Sequence, residues 1–172
     1  MQRTTREIEL RSTNGYLAAA LGIVLIALPV ISFITLAGAG GILGIVLRVL
    51  LIVTGVFMLA GLYMLQPNEA AILTLFGHYV GSDRSDGLRW ANPFYVKRKM
   101  SLRARNLNAP TLKVNDKRGN PVEISAVVVW RVDDTAQAVF DVDDYEHYVK
   151  VQAEAAIRHL ATQFAYDEGE DL

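Results

Sequence analysis

The sequence predicts an α+β protein in which a two-helix membrane hairpin precedes a domain of strands closed by helices. Three observations predict it. Of the 35 Lys, Arg, Asp and Glu residues only six, Arg3, Arg6, Glu7, Glu9, Arg11 and Arg48, fall within 1–66. Past Gln66-Pro67-Asn68 apolar residues recur at every second position, the period of a strand. Beyond Asp143 they recur at helical spacing. Strands first and helices afterwards mean α+β rather than alternating βαβ units.

Residues 16–37 are 22 positions without a charge. As a helix they reach about 33 Å, enough to cross a hydrocarbon core of about 30 Å. Residues 42–65 form a second stretch of 24, with Arg48 its one charge. Gly38-Ala39-Gly40-Gly41 between them is short and apolar, hence a tight turn. Gly40 and Gly44 have GxxxG spacing, and Ala18 and Gly22 the related small-xxx-small spacing, both of which allow close helix approach. A cleaved signal peptide fits poorly, because its apolar region is usually about 7–15 residues and no second span follows at once. The segment is expected to be retained.

Sidedness follows from Lys and Arg near the span ends. The tail carries Arg3, Arg6 and Arg11, the turn carries none, and Arg84, Arg89, Lys97, Arg98 and Lys99 follow the second span. Both termini and the soluble domain are therefore expected in the cytoplasm, with a bacterial inner membrane as the location. Arg48 lies close enough to the turn to snorkel toward the outer interface. Neither span contains an Asp or Glu to pair with it in a transport pathway.

The expected organisation is a tail over 1–15, the hairpin over 16–65, a folded domain over 66–166 and an acidic tail over 167–172. In the domain, residues 70–76 read as an apolar strand ended by Gly77. Residues 99–106 alternate Met100, Leu102 and Ala104 against Lys99, Ser101, Arg103 and Arg105. Residues 111–115 alternate more briefly, 117–120 are a turn, and Pro121 opens the longest strand, 122–132. Asp134 caps a short helix over 135–140. Asp143 and Glu146 open a longer one, with Val149, Ala153, Ile157, Leu160, Ala161 and Phe164 along one stripe.

Composition removes several function classes. With no cysteine, a disulfide framework, a thiolate metal site and a thiol nucleophile are excluded. A net charge of −1 argues against a dedicated nucleic-acid binder. His78, His147 and His159 form no metal-ligand spacing, and Asp141-Val142-Asp143-Asp144 has Glu146 where a calcium loop needs glycine. No nucleophile and base can be paired, so neither an enzyme nor a metal or other cofactor is expected.

Local charge says more than the total. Residues 84–118 hold ten basic residues and two acids, a balance of +8; residues 131–172 hold three basic residues and eleven acids, a balance of −8. Complementarity within the domain, a basic face on anionic lipid, and head-to-tail pairing of copies compete to explain the split. The candidate lipid or oligomer contacts are Lys97, Arg98, Lys99, Arg103 and Arg105. The candidate acidic face is Asp141, Asp143, Asp144, Glu146 and Glu154.

The soluble half also carries a run of recognisable segments. They are Gln66-Pro67-Asn68-Glu69-Ala70, Leu75-Phe76-Gly77-His78-Tyr79, Gly87-Leu88-Arg89-Trp90 and Asn92-Pro93-Phe94. Val129-Trp130-Arg131-Val132-Asp133-Asp134, Tyr145 and Ala155-Ala156-Ile157-Arg158 follow in order. In this succession behind a membrane segment the chain resembles the SPFH or band 7 family of stomatins, prohibitins and flotillins. The resemblance implies an α+β domain of antiparallel strands with C-terminal helices lying against the membrane. It further implies homo-oligomerisation and a scaffolding role among membrane proteins, including proteases and channels, without enzymatic activity. Relatives continue into a long heptad-rich helix, whereas this sequence runs to Glu168-Gly169-Glu170-Asp171-Leu172. The expectation is a fragment, or a short member whose assembly relies on the domain and hairpin. A self-associating membrane scaffold is the leading reading, and a regulatory subunit of one membrane protease or channel is the alternative.

Overall fold

The computed structural model describes residues 6–35 and 41–164. Arg3, the turn residues 38–40 (with Gly40 of the GxxxG pair) and the acidic tail over 167–172 lie outside the described residues. Strand β1 (Thr13–Asn14) leads directly into helix α1 (Gly15–Thr35), and helix α2 (Gly41–Ala60) returns. Strands β2 (Leu62–Leu65), β3 (Glu69–Leu75), β4 (His78–Asp83), β5 (Gly87–Trp90) and β6 (Val96–Ser101) follow. Then come β7 (Arg105–Asn108), β8 (Leu112–Asn115), β9 (Pro121–Ile124), β10 (Val127–Trp130), α3 (Thr135–Phe140) and α4 (Tyr145–Gln163). The chain divides into two compact units, residues 7–101 and residues 102–172 with 1–6.

In the first unit, α1 and α2 are both long and apolar enough to cross a membrane. Leu17, Val24, Leu28, Ile31, Leu47 and Leu50 are all more than half exposed, as lipid-facing residues are. Thr35 and Thr54 return their hydroxyls to the carbonyls of Ile31 and Leu50, so neither carries an unmet donor into hydrocarbon. The helices meet where side chains are absent. A Cβ on Gly55 would come within 2.6 Å of Ile26 Cγ1 and 2.9 Å of the Gly22 carbonyl oxygen. Gly22 is thus a contact residue facing Gly55, and Ala18, one turn before it, is buried.

The second helix is shorter than its apolar run. It stops at Ala60, and residues 62–65 become β2. Strand β5 decides this. Trp90 Nε1 donates to the Met58 carbonyl at 2.7 Å, and the Ala91 amide to that of Gly61 at 3.1 Å. The last helical carbonyls therefore find partners in the sheet rather than in another turn.

β1 and β2 flank β5 in one antiparallel sheet, and β4 and β6 flank β3 in another. Tyr63, Leu65, Ala71, Leu73 and Ala91 form the core, with Leu10 and Tyr95 packed against it. The segment before the hairpin is not a separate tail. Ser82 exchanges backbone hydrogen bonds with Ile8 (2.8 Å) and Leu10 (3.0 Å), and Thr13 pairs with Trp90.

The second unit corrects two strands. The alternating run expected over 99–106 is divided between β6, which pairs with β3, and β7, which pairs with β10. The long strand expected over 122–132 breaks at 125–126, because β9 pairs with β8 while β10 pairs with β7. One residue pattern serves two neighbours, and alternation does not reveal a change of partner. Between β8 and β9, the Asp116 carboxylate accepts from the amides of Arg118 and Asn120, and Gly119 supplies the positive φ the turn needs.

Asp134 caps α3, its carboxylate accepting from the Gln137 amide at 2.9 Å. The cap of α4 is Asp144 rather than the expected Asp143, accepting from the amides of Glu146 (3.0 Å) and His147 (3.1 Å). Two charge-accepted amides at a helix start favour this register by about 1 kcal/mol. Helix α4 packs on β8. Val149, Ala153 and Ile157 are half-buried and Ala161 is buried, while Leu160 and Phe164 on the same stripe stay exposed.

A leucine at position 55 cannot fit between the helices. Gly55→Leu should separate α1 from α2 and cost about 1–3 kcal/mol of stability. Thermal unfolding in mild detergent checks this, and an unchanged transition would show that the helix contact is dispensable.

Candidate functional site

The most specific geometry in the first unit is the foot of the hairpin, where helices meet sheet. Two backbone approaches lock it. A Cβ on Gly15 would lie 2.7 Å from the Leu88 carbonyl oxygen, and one on Gly61 would lie 2.4 Å from that of Ala91. Phe57, in the last turn of α2, packs on Phe94 with ring centroids 5.4 Å apart. Lys97 Nζ donates to the Gly61 carbonyl at 3.2 Å and sits 5.3 Å from the centre of the Tyr63 ring. Burial in this corner lowers the Lys97 pKa from its ordinary value.

The strand lengths then set what else reaches this level. β2 leads away from the hairpin for four residues, about 13 Å, and β3 comes back for seven, about 23 Å. Tyr63 and Leu73 share the core, and Leu73 pairs with Lys97, so β3 runs on past the level of Tyr63 toward the helix ends. Its turn, Phe76-Gly77, has positive φ at both residues, 48° and 85°, the signature of a two-residue primed turn between paired Leu75 and His78. Phe76 is 82% exposed. An aromatic there strains the backbone by about 1–2 kcal/mol where Asn or Gly would relieve it. Phe94 and Val96, also exposed, complete an apolar rim at the same end of the sheet.

A buried polar lock holds the segment before α1 in place. The Asp83 carboxylate, itself fully buried, accepts from Ser12 Oγ and Tyr63 OH, both at 2.6 Å, and from the Ser85 amide at 3.0 Å. Burial alone raises the Asp83 pKa, but the hydrogen bonds outweigh it and the pKa falls below the usual carboxylate value. Burial, and then the bond to Asp83, push the Tyr63 hydroxyl well above its ordinary value. Glu7 and Arg84 add a two-pronged ion pair at 2.7 Å.

The charged candidates are divided between the two units. Lys97, Arg98 and Lys99 lie on β6 in the first unit, with Arg98 and Lys99 exposed. Arg103 and Arg105 belong to the second unit with all the acidic candidates. Arg105 is 5.5 Å from the Trp130 ring and 5.6 Å from the Tyr145 ring, and it pairs with Glu146. Burial lowers its pKa, but the bonds to Glu146 and Tyr145 raise it more. Asp144 is consumed as a helix cap, Asp141 ends α3, Asp143 is exposed and Glu154 is half-buried. Among the described residues no group of three His, Asp or Glu can hold a metal ion.

Two lipid-facing helices locked to a strand domain define a membrane-associated α+β protein. The family model for the SPFH domain, or Band 7 family, matches residues 63–169, and the chain belongs to that family. An uncharacterized protein of Archaeoglobus fulgidus is 31% identical over 69% of this chain and 48% of its own length. A stomatin homologue of Pyrococcus horikoshii is 27% identical over 72% of this chain and 46% of its own. Protein HflC of Treponema pallidum is 25% identical over 73% of this chain and 39% of its own. The chain thus spans half or less of the length of these curated relatives.

Asp83, Tyr63 and Ser12 escaped the sequence reading because their partners lie 20 and 71 residues away. Phe76-Gly77 was legible as a strand end, but its level relative to the helices was not. Since the folded Asp83 pKa is depressed, its contribution is present above the unfolded value of about 3.9 and lost as pH falls through the folded one. Asp83→Asn should cost about 1–3 kcal/mol at pH 7 and flatten the acid limb of stability against pH. Urea unfolding at pH 7 and at a series of pH values from 4 down to 2 measures both.

Proposed function

We propose that this protein is a membrane-anchored scaffold that self-associates and laterally organises other membrane proteins, with lipid and further copies of itself as partners. Helix α4 carries the reading. It has 19 residues yet buries only Ala161 among them, leaving Tyr148, Val151 and Leu160 exposed, as is Phe164 just past its end. A helix of this length owes most of its stability to packing of an apolar face. Val127 and Val129 on β10 are two-thirds exposed in the same unit. Such a surface suits association with another protein, and membership of the SPFH family supports a scaffold.

The hairpin anchors the protein, with both termini and the domain in the cytoplasm of a bacterial cell. The exposed Arg98 and Lys99 supply basic charge toward anionic lipid, and Asp143 and Glu154 meet basic residues of a neighbouring copy. A second reading, a regulatory subunit bound to one membrane protease or channel, is also compatible with membership of the SPFH family. The rim of Phe76, Phe94 and Val96 dips into the leaflet at the hairpin foot.

Mass separates the two readings. In mild detergent, light scattering should give a discrete assembly of many 19.0 kDa protomers. Val127→Glu with Val129→Glu, or Asp143→Lys with Glu154→Lys, should reduce it toward the monomer. A wild-type monomer or dimer would favour the regulator. Since the chain has no cysteine, Phe76→Cys takes a single environment-sensitive fluorophore. In liposomes its emission should shift to the blue relative to a label at Asn120→Cys, and equal emission would place the tip in water.

A further inference from the structure

At the hairpin foot an open groove of about 370 Å³ runs between the first turns of α1 and the end of α2. Leu17, Ala18 and Leu21 form one side, Met58 the other, and Trp90 the wall at the domain end. Most of its polar neighbours are already engaged. The Trp90 indole N–H is held by the Met58 carbonyl, Thr13 Oγ1 donates to the Trp90 carbonyl, and Asn14 Oδ1 accepts from the Tyr16 amide. What enters must therefore be apolar. The volume is within the range of ligand pockets, and a groove lined almost wholly by apolar groups does not hold ordered water well.

Position names the occupant. The groove is continuous with the lipid-facing side of α1, where Leu17 and Leu21 are 73% and 53% exposed, while its floor, Ala18, is buried. From Gly15 at the foot to Leu21 the helix rises about 9 Å, from headgroup level into the upper acyl region. Trp90 stands where interfacial tryptophans stand. A small residue at Ala18, between two leucines, keeps open a slot that any larger side chain would close.

We propose that this groove holds one acyl chain of a bilayer phospholipid, a bound, slowly exchanging lipid retained by each protomer at the joint between hairpin and domain. The inference rests on the hairpin lying in the membrane. The lipid fills the joint that positions β5, so membrane composition acts on the domain through this slot.

Phosphorus analysis and native mass spectrometry of the full chain test it, after extraction from phosphatidylglycerol–phosphatidylethanolamine liposomes and exhaustive detergent exchange. About one phospholipid per protomer is expected for the wild type. Ala18→Phe should lose it, and Met58→Phe, which narrows the slot from the other side, should do so if the first variant does not fold. Retention unchanged in a folded variant, or no lipid on the wild type, overturns the proposal. So does a disulfide dimer through Leu17→Cys without bound lipid, which would give the groove to a second copy. Alkaline carbonate extraction separates the two levels of failure. Release from the membrane would overturn the membrane reading itself, whereas membrane retention without bound lipid would overturn the groove alone.

Discussion

The approach of β5 to the foot of the helix hairpin is the constraint on which the first unit depends. Two glycines, Gly15 and Gly61, let backbone meet backbone at distances no side chain would permit. Trp90 closes the joint by donating to the last turn of α2. That one strand ends a membrane helix, receives the segment before α1 as β1, and pairs with β2 to begin the sheet. Anchor and domain are thus a single packed body over residues 7–101. The core of Tyr63, Leu65, Ala71, Leu73 and Ala91 lies in the same body.

Charge works differently in the two units. The pairs Arg105–Glu146 and Lys113–Glu123 satisfy part of the basic and acidic excess within the second unit. Exposed pairs of this kind contribute at most about 1 kcal/mol each. Their value lies in orientation, since Arg105 between Trp130 and Tyr145 fixes the start of α4 against the β7–β10 ribbon. In the first unit the decisive charge is buried. Asp83 is held ionised by three donors, and it ties residue 12 to residues 63 and 83. Removing one partner from such a cluster costs more than any exposed pair contributes.

The exposed apolar surface falls into two kinds. Along α1 and α2 it is continuous and unbroken by acids, as lipid solvation requires. On α4 it alternates with charge, so it suits protein rather than hydrocarbon. The strained Phe76 turn stands apart from both. An aromatic in left-handed backbone persists only where its side chain has something to gain, and the turn lies at the level of the helix ends.

The sequence by itself determined the membrane hairpin, the α+β order, the family and the stripe of α4 through Val149, Ala153, Ile157 and Ala161. Each is written in local composition or in a period, and needs no knowledge of distant partners. Tertiary structure decided the rest. The apolar run over 61–65 could continue a helix or start a strand, and only β5, more than twenty residues on, settles it. The alternations over 99–106 and 122–132 each looked like one strand, yet each serves two partners. The same holds for the candidate site. The charge split was visible, but whether Arg105 reaches Glu146 or a neighbour depends on where two strands and a helix converge. Asp83 carried no signal at all, because a buried carboxylate is distinguished from an exposed one only by the groups that the fold brings to it.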